Sequence, residues 1–204
     1  MIQSHEHSPV ADPDLAARFP ALARGVRWGN TALTGCHLIT GKPDPARLQS
    51  VNMVPFVGDR MIVIALADGH VMLPGGTRER GETLLQTISR EMREETGYAL
   101  ESCYPFATLK CISFDEKPWR DYLVHPEFER LVCFGEVHRI GVPENPHGAE
   151  QITRIDVLDV NEAIAFLQDA DRPELADLYR LAAQIRQTNH GLFDLAIDVG
   201  QHAP

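Results

Sequence analysis

Three acids, Glu91, Glu94 and Glu95, stand at spacings of i, i+3 and i+4. On a helix those positions share one face. Three carboxylates held that close repel one another unless something positive sits among them. A hard divalent cation such as Mg²⁺, or Mn²⁺ in its place, is the natural occupant, because it takes oxygen ligands. Ahead of the acids, Leu73-Pro74-Gly75-Gly76 supplies a tight turn, where the backbone carbonyl of Gly75 can face the same spot. Arg90 lies between Glu82 and this cluster in the chain, and its planar fork suits a carboxylate or a phosphate. The chemistry these residues could do is to hold a metal against a phosphate.

Glu91-Met-Arg-Glu-Glu95 by itself would more often be a solvated helix face, with Arg90 and Glu94 as an i, i+4 ion pair. The longer pattern changes that reading. Gly76-Thr-Arg-Glu-Arg-Gly-Glu82 is followed, after an interval of seven residues, by Arg90-Glu91-Met92-Arg93-Glu94-Glu95-Thr96-Gly97-Tyr98. This run resembles the Nudix box, G-x5-E-x7-R-E-U-x-E-E-x-G-U, where U is a bulky apolar residue. Gly76, Glu82, Arg90, Glu91, Glu94, Glu95 and Gly97 fill its fixed positions without insertion, and Met92 fits the first U. Tyr98 at the last U is aromatic, a departure that touches packing and not chemistry. With each residue type at roughly 5–8% of an average protein, the chance of seven such matches is on the order of one in a hundred million per window.

The resemblance implies a Mg²⁺-dependent hydrolase that cleaves the pyrophosphate linkage of a nucleoside diphosphate derivative or a nucleoside triphosphate. It implies Glu91, Glu94 and Glu95 as metal ligands, joined by the Gly75 carbonyl. Glu91 could instead receive the proton of the attacking water. Arg90 would orient the carboxylates by pairing with Glu82, or would touch phosphate. Relatives often add an acid from a late loop. Glu150 is the first choice here, with Glu144 and Glu136 as alternatives and an ordinary surface role open to each. The rival reading is a Nudix-fold module that senses a nucleotide without cleaving it. Such modules tend to lose a box carboxylate or the Arg, and this chain keeps them all. Sub-groups that cleave ADP-ribose or dinucleoside polyphosphates tend to carry a Pro or Tyr past the box. Positions 113–116 read Ser-Phe-Asp-Glu, so neither marker is present.

Elements must position these residues. Thr83 through Thr96 reads as one helix, with Leu85, Ile88 and Met92 as an apolar stripe beside the acids and Gly97 as its stop. Val51–Val57 and Arg60–Ala67 read as strands joined at Gly58-Asp59, and Val71-Met72-Leu73 as a short strand into the Pro-Gly-Gly bend. Further strands are expected near Tyr104–Ser113, Arg130–His138 and Ile152–Leu158. Helices are expected over Pro13–Arg18, over Asn161–Gln168 with Asp159 or Asn161 near its cap, and from Pro173 to Gln187. Residues 26–40 read as extended, and Gly41-Lys42-Pro43 as a break without the glycine pattern of a phosphate loop. Strands around a central helix, closed on the other face by another helix, fit an α/β/α sandwich. The resemblance implies the Nudix version, with a mixed β-sheet. The expected organisation is an N-terminal extension over residues 1–49, a hydrolase domain over 50–170, and a C-terminal helix and tail over 171–204.

The loop Asp115–Phe128 carries Trp119, Tyr122 and Phe128 beside Lys117 and Arg120. Aromatics near cations suit a lid that stacks on a base and grips phosphate, with Trp119, Arg120 and Tyr122 as its substrate-binding residues. They equally suit a loop that staples itself to the core.

The chain has 204 residues, ordinary globular composition and a formal charge of −10. Such acidity disfavours nucleic acid and anionic membranes as partners, yet a bound metal would still admit an anionic nucleotide. Cys36, Cys103, Cys111 and Cys133 form no CxxC pair, which points to reduced thiols and a cytoplasmic location. The first residues lack a basic region followed by an apolar run, so no signal peptide is expected. No stretch approaches the roughly 20 apolar residues of a membrane span. The tail after Gly191 leaves a homodimer contact open.

Overall fold

The computed structural model describes residues 13–39, 43–146 and 150–188. The polar leader, the break at Gly41-Lys42 and the tail after Gly191 lie outside them.

Among the described residues, ten strands form one mixed sheet. Its main path runs β1 (Val26–Trp28), β2 (Thr31–Leu38), β8 (Tyr104–Ser113), β9 (Glu127–Arg139), β3 (Leu48–Val57), β4 (Arg60–Leu66), β10 (Ile152–Asp159). Three short strands attach beside it: β5 (Val71–Met72) on β4, β6 (Gly75–Thr77) on β3, and β7 (Tyr98–Leu100) on β9. β3 and β9 run parallel, and every other pair is antiparallel. Val57 pairs with Arg60 across Gly58-Asp59, the two-residue connection that dipeptide favours.

Strand alternation sorts the core into two layers. Met61, Val63 and Ala65 of β4 face one layer with Val132 and Phe134 of β9, while Ile62 and Ile64 face the other with Leu131 and Cys133. The first layer is covered by α1 (Pro13–Arg18), α2 (Pro20–Ala23), α4 (Val160–Asp169) and α5 (Pro173–Thr188). The second is covered by α3 (Leu84–Glu91), through Ile88 and Met92. The result is an α/β/α sandwich with a mixed sheet.

Local chemistry explains the helix starts. Thr83 and Gln86 form a reciprocal capping box at α3, and Asp159 and Glu162 form another at α4. Pro173 opens α5, where its missing N–H costs nothing. Asp177 of α5 accepts the Ala21 N–H at 2.9 Å, and Tyr179 donates to the Ile62 carbonyl at 2.7 Å. These bonds lock α2 and β4 to the last helix. Strands β1 and β2 extend the same sheet through β8.

The structure corrects three local expectations. Thr83–Thr96 is not one regular helix: α3 gives way at Met92–Thr96 to a π-helical turn. The Gly97 N–H reaches back to both Arg93 and Met92 carbonyls, and Gly97 itself closes the turn at φ 72°. A π turn adds a residue to the helical circuit and recurs at functional sites. The Pro-Gly-Gly bend is followed at once by β6, because Gly75 and Gly76 pair with Asn52 and Val51 of β3. Finally, β7 was not expected; it forms where Tyr98–Leu100 pairs with the end of β9. Among the described residues no helix is long and apolar enough to cross a membrane.

Candidate active site

The box residues meet at the junction of the loop before α3, α3 itself and strand β6. Arg90 is the hub. Its Nε and Nη2 donate to Glu82 Oε1 and Oε2 at 2.9 and 3.2 Å, a forked ion pair. Its Nη1 donates to Glu91 Oε1 at 2.9 Å and to Glu94 Oε2 at 3.2 Å. Thr87 also donates to Glu82 Oε2, at 2.9 Å. Held this way by Arg90, the Glu82 carboxyl is lowered to about 2. Arg90 is held still more firmly protonated, first through its bond to Glu82.

The π turn carries Glu94 and Glu95 and sends them to different surroundings. Glu94 stays beside Arg90, whereas Glu95 turns inward and is only 9% exposed. There its Oε2 accepts the Gly75 N–H at 2.8 Å. Burial raises the Glu95 carboxyl to about 8; the Gly75 N–H opposes that rise, and the charges of Glu91, Glu150 and Glu94 add to it. Burial also raises Glu91, against the pull of Arg90. At Gly76 a Cβ would stand 2.2 Å from Glu91 Oε1 and push that carboxylate from its place. The box glycine therefore lets a carboxylate lie flat against the backbone.

A divalent cation fits this site by donor type, since the side chains offer only carboxylate oxygens and burial leaves their charge incompletely compensated. The ligating geometry is not assembled. Among the described residues, no three acidic, His or Cys side chains surround one point. Arg90 pins Glu91 and Glu94, and Gly75 draws Glu95 aside. A cation would compete with those bonds. The N–H of Gly75 is committed to Glu95, so only its carbonyl could serve as a ligand.

The late acids separate cleanly. Glu150 is exposed, and its charge is felt by Glu95. Glu144 is taken by Arg93 Nε at 2.8 Å. Glu136, on β9, is bonded by Arg186 of α5, on the opposite face of the sheet from α3.

The loop between β8 and β9 docks on the chain just before α3. Tyr122 lies under the Arg80 guanidinium, 4.8 Å from it, and its hydroxyl sits 3.3 Å from the Arg78 carbonyl. Arg120 donates to the same hydroxyl at 2.7 Å and stacks on Trp119 at 4.2 Å. Trp119 itself is 67% exposed. Phe128 belongs to β9 and is buried in the core. The three residues thus stand beside the box, with Tyr122 fastened and Trp119 exposed but stacked with the Arg120 guanidinium.

A cleft of about 430 Å³ opens beside the box, lined by Gly75, Gly76 and Glu150 and also by Trp28, Leu109 and Arg130. Trp28 and Arg130 carried no local signal in the sequence. Trp28 sat in a loosely alternating run and Arg130 at the start of an expected strand.

A sequence model of the NUDIX domain family matches residues 47–182. No curated protein matches the chain significantly in sequence. Among solved structures, the chain is similar to a NUDIX hydrolase from Nitrosomonas europaea, at 21% identity and a TM-score of 0.49 over 74% of this chain and 95% of that one. It is similar to a Bacillus subtilis pyrophosphohydrolase at 15% identity and a TM-score of 0.47, over 66% and 76%. An ADP compounds hydrolase is similar at 15% identity and a TM-score of 0.49, over 70% and 75%. These structural likenesses are loose, and the weight rests on the family match.

Proposed function

Since the chain belongs to the Nudix hydrolase family, we propose that it hydrolyses the pyrophosphate linkage of a nucleoside diphosphate derivative or nucleoside triphosphate, with Mg²⁺ or Mn²⁺ held by Glu91, Glu94, Glu95 and the Gly75 carbonyl. The observation that carries this reading is Glu95. Glu95 is buried with the Gly75 N–H as its hydrogen-bond donor, and the charges of Glu91, Glu150 and Glu94 add to the burial that raises it to about 8. A carboxyl that must hold a proton to stay buried near other acids is not kept for stability, because ionising it there is costly. It suits a site completed by a cation.

When bound, the cation would supply charge neutralisation at the phosphates and acidify a water. The chain's own residues have separate tasks. Glu82 holds Arg90, and Arg90 holds Glu91 and Glu94 in place while no cation is present. Glu150, exposed and close enough to act on Glu95, is the group suited to take the water's proton or to complete the ligand set. Trp119, Arg120 and Tyr122 stand on a loop fastened to the box and suit the part of the substrate beyond the diphosphate. The four cysteines are buried free thiols, which supports a cytoplasmic enzyme.

The test is phosphate or nucleoside monophosphate release over a panel of nucleotide derivatives. Turnover should require Mg²⁺ or Mn²⁺ and stop in excess chelator. Full turnover in chelator would refute the metal-dependent mechanism, and no turnover on any pyrophosphate-linked nucleotide would refute the hydrolase reading.

A further inference from the structure

Given the nucleotide hydrolase proposed above, we infer that the cleft beside the box seats the nucleobase, and that Arg130 and Trp28 select a 6-oxopurine. The cleft has the size of a small-molecule site, and its lining includes Gly75 and Gly76 together with Trp28, Leu109 and Arg130. Gly75 bonds Glu95 and Gly76 lies against Glu91, so a nucleotide whose diphosphate lies at the carboxylates has this cleft beside it for its nucleoside.

The cleft around Arg130 is chemically unfinished. Arg130 rises from β9 on the layer that holds Val132 and Phe134, an apolar face for a guanidinium. No carboxylate among the described residues pairs with it; its guanidinium bonds the Cys111 side chain, a weak acceptor, and its neighbour Glu129 is taken by Arg47 at 3.1 Å. Its guanidinium sits 5.6 Å from the Trp28 ring and 5.9 Å from the Phe128 ring. The Nε of Arg130 and the Nε1 of Trp28 are both shielded from solvent without an acceptor among the described residues. Ser50 Oγ, on the same face of β3 as Val54 and Phe56, and Gln49 Oε1, an acceptor, are unpaired as well. Buried donors left unpaired are costly, and most native ones find partners.

Guanidinium and indole N–H groups only donate. The ligand must then present acceptors. A 6-oxopurine offers O6 and N7 side by side, the pair that an arginine fork reads. Adenine places an amine where O6 would be, setting donor against donor, and uracil offers one carbonyl beside an N–H. The indole of Trp28 adds a face on which a purine can stack. Trp28 lies outside the stretch matched by the family, so this selectivity belongs to this chain. Trp119 is the weaker stacking candidate, because Arg120 already covers its ring at 4.2 Å.

The chain has two tryptophans, so Trp119→Phe leaves Trp28 as the sole reporter. Titration of that protein with guanosine 5′-monophosphate should quench its fluorescence saturably. Adenosine and uridine 5′-monophosphates should bind about tenfold more weakly or worse. Calorimetry on Arg130→Met should show the guanosine preference erased, with adenosine affinity changed less than about twofold. Arg130→Lys keeps the charge without the fork and should lose the preference too, which guards against a misfolded Met variant. Equal binding of the three nucleotides, a guanosine preference that survives both Arg130 variants, or no quenching of Trp28 by any of them would overturn the assignment. Failure of the hydrolase reading would show separately, as absent phosphate release with the Arg130 binding pattern intact.

Discussion

The carboxylate centre and the Trp28–Arg130 part of the cleft are neighbours with opposite electrostatic designs. At the centre one cation, Arg90, is shared among three acids, Glu82, Glu91 and Glu94. In the cleft, Arg130 has no ion pair among the described residues and faces two aromatic rings and the Cys111 side chain. The first region crowds acids around one cation; the second leaves a guanidinium Nε and an indole N–H without acceptors. Each is incomplete in the sense its ligand would repair, a cation in one case and an acceptor-rich base in the other. The difference also separates tasks. The crowded acids suit bond cleavage, which needs charge concentrated on phosphates, whereas the unpaired donors suit recognition, which needs direction without net charge on the base.

The centre breaks hardest at its acids. Glu94→Gln or Glu95→Gln should lower kcat by about 10³-fold, as loss of a positioned metal ligand or general base would. Near-normal turnover in either variant, measured by phosphate release in saturating Mg²⁺, would mean that the crowding serves no chemistry. Glu150→Gln comes next, with kcat down about 10²-fold and less effect on KM. Glu144→Gln and Glu136→Gln should be milder, because Arg93 and Arg186 already occupy those carboxylates. If either proves the more damaging, Glu150 is the wrong acid.

The Arg90–Glu82 pair sharpens the comparison by pH. Glu82 is lowered to about 2 from an ordinary 4.5. Its contribution to stability is therefore present above pH 4.5 and is lost as pH falls through about 2. Glu82→Gln should lower Tm by roughly 3 °C at pH 7, with the gap closing as both proteins are taken below pH 4.5. Activity should fall about tenfold, since Arg90 loses its fork and the acids lose their alignment. A gap in Tm that persists unchanged at pH 2.5 would show that Glu82 acts through packing and not charge.

The smallest effect has the opposite sign. In chelator, Glu95 is raised from 4.5 to about 8. The folded protein then holds a proton that the unfolded chain releases, so this group's contribution is fully present below pH 4.5 and is lost as pH rises through about 8. Glu95→Gln should match the parent in Tm near pH 4.5 and exceed it by roughly 5 °C at pH 9. Saturating Mg²⁺ should stabilise the parent and not the variant. A variant less stable than the parent at pH 9 without metal would make Glu95 structural.

Much of this was legible in the chain because it is local. Gly76 to Tyr98 carries its chemistry in one continuous run, where helix periodicity and capping are set by residues three and four apart. Thr83 before Gln86, Asp159 before Glu162, and Gly97 after the last helical turn are likewise local instructions. β4, Arg60–Leu66, is apolar from Met61 to Leu66, so its sequence marks a buried strand without saying which residues face which layer. What the sequence could not say is which faces would meet. Glu95, carried inward on the π turn, is held by the Gly75 N–H, offered from a strand twenty residues away. The sequence ranked Glu150 above Glu136 by its place in a late loop, and the physical reason, Glu136 bonded by Arg186 of α5, came only with the fold. Trp28, Leu109 and Arg130 come from β1, β8 and β9, and nothing in their own neighbourhoods marks them. Acids clustered by spacing reveal themselves to a local rule. A cleft is defined by what tertiary packing leaves unpaired, and that is decided only when distant strands have chosen their partners.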